Sequence, residues 1–226
     1  VAQQGGTRRG RPPLGEQGRR RQRLEISREA VRLFRAHGVA GTSGVRIAEA
    51  AGVSERTLWR LFRTKESCVE PLLTEALDGF CAVLRSWPAG VELAEHLQVA
   101  YTFVPRPSRP DIGMDADMDT DSDTDAVLAV VRMTRDDPAL RAVWLVLQER
   151  AEPTLAEVLA PRAGLPPGAS EVRVLAATVN AALRVVTDDF AHTAADGVTS
   201  HDVEGHRQRL AETLRAATRV LAPGGA

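Results

Sequence analysis

Lysine is almost missing from this chain: Lys65 is the only one in 226 residues, so arginine carries nearly all of its positive charge. Cysteine is scarce as well. Cys68 and Cys81 stand thirteen apart, which fits neither a zinc site nor a redox pair, and both read as small buried hydrophobes of a reducing compartment. No apolar run approaches the roughly 18 residues that a membrane span requires. The N-terminus is basic and Gly-rich without the apolar stretch of a secretory leader, so a soluble cytoplasmic protein with no membrane partner is expected.

Catalytic groupings are missing too. His192, His201 and His206 do not fall on one helix face at metal spacing, and no Gly-rich phosphate loop or pair of catalytic carboxylates is present. Ser86 and Ser170 lie at segment ends rather than on a nucleophile elbow. The expectation is a protein that is not an enzyme and holds no metal or cofactor.

What is there is a separation of charge. Residues 1–65 carry a net +10 and the remainder a net −11, although the whole chain nets only −1. Such asymmetry points to one half that faces a polyanion and one half that does not.

Residues 1–20 are rich in Gly, Pro and Arg without apolar periodicity, so a disordered basic arm is expected there. Within it Arg9-Gly10-Arg11-Pro12 resembles the core of an AT-hook, an extended clamp for the minor groove. A tail that only touches phosphates explains the same residues. Further on, Ile26, Ala30, Leu33 and Phe34 recur at helical spacing and give a helix over 24–37, closed by Gly38. A second helix is expected over 44–51 with Ser43 as its N-cap, and a third from after Ser54 to about Phe62. A fourth runs from Lys65 to Ser86, capped by Thr64 and stopped by Pro88. Helical patterns follow at 91–104, 126–136, 139–160, 169–195 and 201–221, and no stretch alternates as a strand does. The fold class is therefore all-α: a three-helix helix-turn-helix unit over 21–65, then a larger helical domain over 66–226.

One segment breaks the pattern. Residues 105–125 hold Pro105, Pro107 and Pro110, then aspartates at every second position from 115 to 125. A calcium loop needs Gly sixth and Glu twelfth, and neither is in register. A flexible acidic linker is expected.

The segment from Gly44 to Phe62 carries the function. A helix-turn-helix needs a small residue where its helices touch, and Ala48 is there. Its tight turn needs a residue tolerant of positive φ, and Gly52 is there. Ile47, Ala51, Val53, Leu58 and Leu61 supply the apolar anchors. The run Ile47, Ala48, Ala50, Ala51, Gly52, Val53, Ser54, followed by Thr57, Leu58, Trp59, Phe62, Lys65 and Glu66, closely resembles the DNA-binding signature of TetR-family regulators. Upstream, Ala30, Leu33, Phe34 and Gly38 resemble that family's first helix, and the likeness covers about residues 23–80.

The resemblance implies roles for particular residues. Ser43 would cap the second helix and meet a phosphate, and Glu55, Arg56 and Thr57 would face base edges in the major groove. Arg56 is the expected guanine reader, because its fork matches O6 and N7 together. Trp59 stands where the family usually has Tyr and would donate to a phosphate, and Lys65 would contact the backbone. Arg60 either adds a phosphate contact or stays solvated. Gly44 replaces the family's usual apolar residue and is expected to loosen the start of the second helix by about 0.5–1 kcal/mol.

The resemblance also implies a homodimer whose C-terminal helices enclose a pocket for a small, largely apolar effector, with double-stranded operator DNA as the other partner. Val174, Leu175, Thr178, Ala182, Val185 and Val186, then Leu210, Leu214, Ala217 and Leu221, form stripes that suit either a dimer bundle or the chain's own core. Phe80, Leu84, Leu97, Tyr101, Val131, Trp144 and Leu147 are candidate pocket lining or plain core. Asn180, Arg184 and Asp188 make a polar seam at helical spacing, in which Arg184 either anchors a ligand or pairs with Asp188. The expected function is a ligand-responsive repressor released from a palindromic operator. The competing expectation is a DNA-architectural protein without small-molecule control.

Overall fold

The computed structural model of the protein describes residues 15–101, 116–193 and 200–221. Among these the regular structure is helical throughout. Helix α1 spans Glu16–His37 and ends where the Gly38 N–H meets the Phe34 carbonyl, with Gly38 at φ 72°. It starts eight residues before the expected Leu24, inside the segment expected as a disordered arm. Glu, Gln and Arg are good helix formers, and Arg20 ties this extra stretch to α4 through Glu75 (3.0 Å) and Asp78 (3.4 Å). Arg9 and Arg11 lie outside the described residues.

Helices α2 (Gly44–Ala50) and α3 (Glu55–Leu61) are both capped by serine. The Arg46 N–H donates to Ser43 Oγ (3.3 Å) and the Thr57 N–H to Ser54 Oγ (3.2 Å). Between them Gly52 takes φ 63°, as the tight turn requires. Ile47, Ala48 and Leu58 are buried with Ile26, Ala30 and Phe34 of α1, so three short elements share one core.

The expected fourth helix is divided. A 3-10 turn at Glu66–Val69 leads into α4, Glu70–Ser86. Thr64 and Ser67 cap each other, each backbone N–H donating to the other's hydroxyl (3.2 and 3.1 Å), and Pro71 sits in the first α-turn, where its missing N–H costs nothing. At the far end the Arg162 guanidinium lies 3.6 Å over the Trp87 ring and donates to the Trp87 carbonyl, closing α4 onto α7.

Helix α5 spans Leu93–Ala100 and α6 spans Ala116–Met133. The start of α6 corrects the acidic-linker expectation for residues 116–125, while 102–115 lie outside the described residues. The physical reason is that α1 offers arginines to meet the carboxylates of α6. Arg28 grips Asp123 with both nitrogens (2.8 and 2.5 Å), and Arg35 stands 3.8 Å from Asp125.

Helix α7 (Pro138–Ala163) starts from an Asp137 cap, with the Leu140 N–H donating to its carboxylate (2.9 Å). Helices α8 (Ser170–Thr193) and α9 (Ser200–Leu221) complete the fold. Helix α1 packs on α4 and α6, α4 packs on α7, and α7, α8, α9 and α5 follow in series. The buried apolar side chains form one cluster running from Ile26 to Leu214, so the small N-terminal unit is fused to the larger one rather than tethered to it.

Candidate nucleic-acid interface

Helix α3 buries Leu58 and exposes Glu55, Arg56, Trp59 and Arg60, with Thr57 half-buried. Arg56 and Arg60 have no hydrogen-bond or ion-pair partner among the described residues, so both guanidinium groups are available to an incoming anion. Thr57 is less free, because its Oγ1 lies 2.9 Å from Ser54 Oγ.

Two departures noted in the sequence explain each other. The indole of Trp59 lies over Gly44, where an added Cβ would come within 2.2 Å of Cζ2 and 2.5 Å of Cη2. Gly44 therefore does more than loosen the start of α2: it makes room for the second ring of the indole. The Trp59 Nε1–H then donates to Glu55 Oε1 (3.0 Å), so these two expected DNA contacts satisfy each other in the unbound protein. Gly44→Ala should displace the indole and destabilise the folded chain by about 1 kcal/mol, as overpacking does. In a Trp59→Tyr background, where the second ring is gone, the same change should cost less. A double-mutant cycle by urea unfolding checks this, and strict additivity would refute the coupling.

Lys65 is also engaged. Its Nζ donates to the carbonyls of Val39 (2.6 Å) and Thr42 (3.0 Å), which fixes the α1–α2 loop that presents Ser43, and Glu66 stands at 3.9 Å. An ammonium has three donors, so one remains for a phosphate. Arg23 does similar work at the other end of α3, donating to the Leu61 carbonyl (2.8 Å) while stacking 4.7 Å over Phe62. Arg46 and Arg63, exposed beside α2 and α3, escaped the sequence reading. The basic charge of the segment was the only signal that could have found them.

Residues 26–72, which hold this arrangement, match the family model of the bacterial regulatory proteins of the tetR family. The HTH-type transcriptional regulator TcmR of Streptomyces glaucescens is 31% identical over 155 residues, a match that takes in 68% of this chain and 66% of that protein. The chain belongs to the TetR family. Its match spans just under two thirds of TcmR. Among solved structures, the TetR-family repressor FadR of Thermus thermophilus, determined with lauroyl-CoA, is 22% identical with a TM-score of 0.46, covering 90% of this chain and all of that one (100%). The TetR-family regulator PfmR, also of Thermus thermophilus, is 19% identical with a TM-score of 0.46, covering 84% of this chain and 97% of that one.

In this TetR-family chain the candidate effector residues divide into separate groups. Phe80, Leu84, Leu97 and Tyr101 are buried, with Phe80 and Tyr101 edge to face at 5.6 Å. Tyr101 also meets His206 of α9 (6.1 Å), which stacks on Phe190 (4.7 Å). Burial pushes the Tyr101 phenol above its ordinary range. Val131 is buried on α6, and Leu147 lies on the floor of a groove of about 610 Å³ between α1, α4 and α7. Trp144, Asn180 and Arg184 come together on the seam between α7 and α8. There Asp188 takes Arg141 (3.1 Å), Trp144 Nε1 (3.2 Å) and Arg184 (3.6 Å), so Arg184 pairs with the carboxylate.

The α8 stripe also divides. Ala182 and Val186 are buried in the chain's own core, whereas Val174 (52% exposed) and Val185 (45%) face outward. On α9, Leu210 and Leu214 are fully buried in that core. Both cysteines are free and buried, and burial pushes the Cys68 thiol up to about 12, so neither is a thiolate at neutral pH. Among the described residues no helix is long and apolar enough to cross a membrane.

Proposed function

We propose that this TetR-family protein is a homodimeric repressor that reads a palindromic operator in double-stranded DNA with α3 and leaves it when a small, largely apolar molecule binds its C-terminal helices. The observation that carries this reading is the outer face of α3, where Arg56 and Arg60 are exposed and unpaired on a capped helix-turn-helix. Net charge adds to it, because the first 65 residues hold the positive excess. Arg56 is assigned to a guanine edge and Thr57 to a neighbouring base. Ser43, Trp59, Arg60 and the remaining donor of Lys65 go to phosphates. Glu55 is assigned to release Trp59 when DNA arrives. Arg9 and Arg11 are assigned to the minor groove or its flanking phosphates.

Dimer formation is supported by the outward Val174 and Val185 of α8, which lie on one face with the exposed Ala181 and the half-buried Thr178. Two-fold symmetry places a pair of reading heads on half-sites one turn apart. Release then requires the effector to favour the incompetent spacing, and tenfold induction needs about 1.4 kcal/mol of differential affinity. Phe80, Leu84, Tyr101, Val131, Trp144, Leu147, Asn180 and Arg184 remain the candidate effector residues.

The test is binding of the purified protein to its own upstream DNA against a scrambled duplex. Arg56→Ala should erase about 1–3 kcal/mol of discrimination at one base pair per half-site, whereas Lys65→Ala should weaken both duplexes alike. Unchanged discrimination with Arg56→Ala would remove the base-reading role. Binding without sequence preference and with a steep salt dependence would favour an architectural protein instead.

A further inference from the structure

The seam between α7 and α8 is paired wherever it carries charge, and it is unpaired at two amides. Gln148 is 3% exposed and neither its Nε2 nor its Oε1 finds a partner in the protein. Asn180, 4% exposed, donates from Nδ2 to the Gln148 carbonyl (2.8 Å) and to Glu152 Oε1 (3.4 Å), which leaves its Oδ1 unpartnered. Buried polar atoms are nearly always satisfied, and an orphaned set calls for a physical reason. Glu152 reaches Asn180 Nδ2 and leaves the three orphaned atoms unmet, while Leu147, Val179 and Leu183 of the same two helices are buried and apolar.

We infer that Gln148 and Asn180 form the polar recognition point for the effector and select a neutral carboxamide group. This rests on the ligand-responsive reading above. The donor inventory decides the ligand chemistry. The two bonds from Asn180 Nδ2 fix the orientation of that amide, so Asn180 offers an acceptor alone. Gln148 offers one acceptor and an NH₂ donor in either orientation of its amide. A carboxamide carries two N–H donors and one acceptor oxygen and so meets all three atoms, whereas a hydroxyl, with a single O–H, leaves one of the two oxygens unmet. A carboxylate would face two carbonyl oxygens without a countercharge, and an ammonium would leave the Gln148 NH₂ without an acceptor. A hydrocarbon would leave all three atoms as they are.

The experiment uses the full chain and four benzenoid probes of similar size: benzamide, toluene, benzoate and benzylamine. Affinities come from ligand-observed NMR, with the Gln148 side-chain NH₂ resonance followed in the same titrations. Benzamide should bind at least tenfold more tightly than the other three and shift the Gln148 resonance. Gln148→Met, unbranched and of similar length, should reduce that advantage over toluene to less than twofold. Gln148→Leu serves the same purpose should the methionine variant fold poorly. Equal affinity for benzamide and toluene, preference for either charged probe, or an unmoved Gln148 resonance would overturn the proposal. Operator release is scored separately, so that binding without release would count against the effector reading and leave the recognition point standing.

Discussion

Asp123→Asn should lower the stability of the folded chain by about 2–4 kcal/mol. Asp123 is only 9% exposed at its side chain and holds Arg28 with two short hydrogen bonds, close to the Arg35–Asp125 contact. Removing one member of a buried, bidentate pair costs about 3–5 kcal/mol, because the other charge is left without compensation. Arg28 is a third exposed, and water recovers part of that cost. Urea unfolding of the two proteins would show it as a lower midpoint at an unchanged slope. Replacing both partners, as Arg28→Met with Asp123→Leu, should restore most of the loss, since no charge is then buried alone. A change below about 0.5 kcal/mol in the single variant would mean that the pair is a surface contact of no consequence. The pair matters because it joins α1, which packs against the helix-turn-helix, to α6 of the C-terminal helices.

Acid should weaken the protein through His206. Burial first, then the nearby charges of Arg209 and Arg207, pull its pKa down from the usual 6.5 to about 3. The unfolded chain therefore takes up a proton near pH 6.5 that the folded chain refuses until about pH 3. Stability from this group is complete above pH 6.5 and falls as the pH drops through that interval, by about 1.4 kcal/mol per pH unit well inside it. Carboxylates add their own acid response, so the informative quantity is the difference between wild type and His206→Leu. Denaturation at about pH 7.5, 6 and 5, on either side of the ordinary imidazole value, should give a flatter pH dependence for the variant. Parallel slopes would show that the imidazole is hydrated or charged in the folded state.

Much of the helix-turn-helix unit was legible in the chain. The caps Ser43 and Ser54, the turn at Gly52 and the anchors Ile47, Ala48 and Leu58 are local requirements, fulfilled within a few residues, and sequence periodicity reports them directly. Helix ends were legible at Gly38 and Pro88, where a Gly or Pro stops the chain, but not at Gly164, which ends α7 three residues beyond the expected 160. The match to the tetR-family model lies over the same short stretch of the chain.

What escaped depended on partners far apart in sequence. The acidic run was expected as linker because its aspartates find arginines only 95 residues away, as Arg28 finds Asp123. The first turns of α1 are held by α4, 55 residues on. Gly44 and Trp59 looked like separate departures until packing set one over the other.

By itself, then, the sequence determined an all-α chain with arginines on the outer edge of a helix-turn-helix, because those features are written in spacings of three and four. Only the tertiary structure decided which of them are free to act. Lys65 is spent largely on carbonyls of the α1–α2 loop, Trp59 on Glu55 and Arg184 on Asp188, while Arg56 and Arg60 stay open. A side chain's hydrogen-bonding capacity is set by its type, but its occupancy is set by whatever folding brings within about three ångströms.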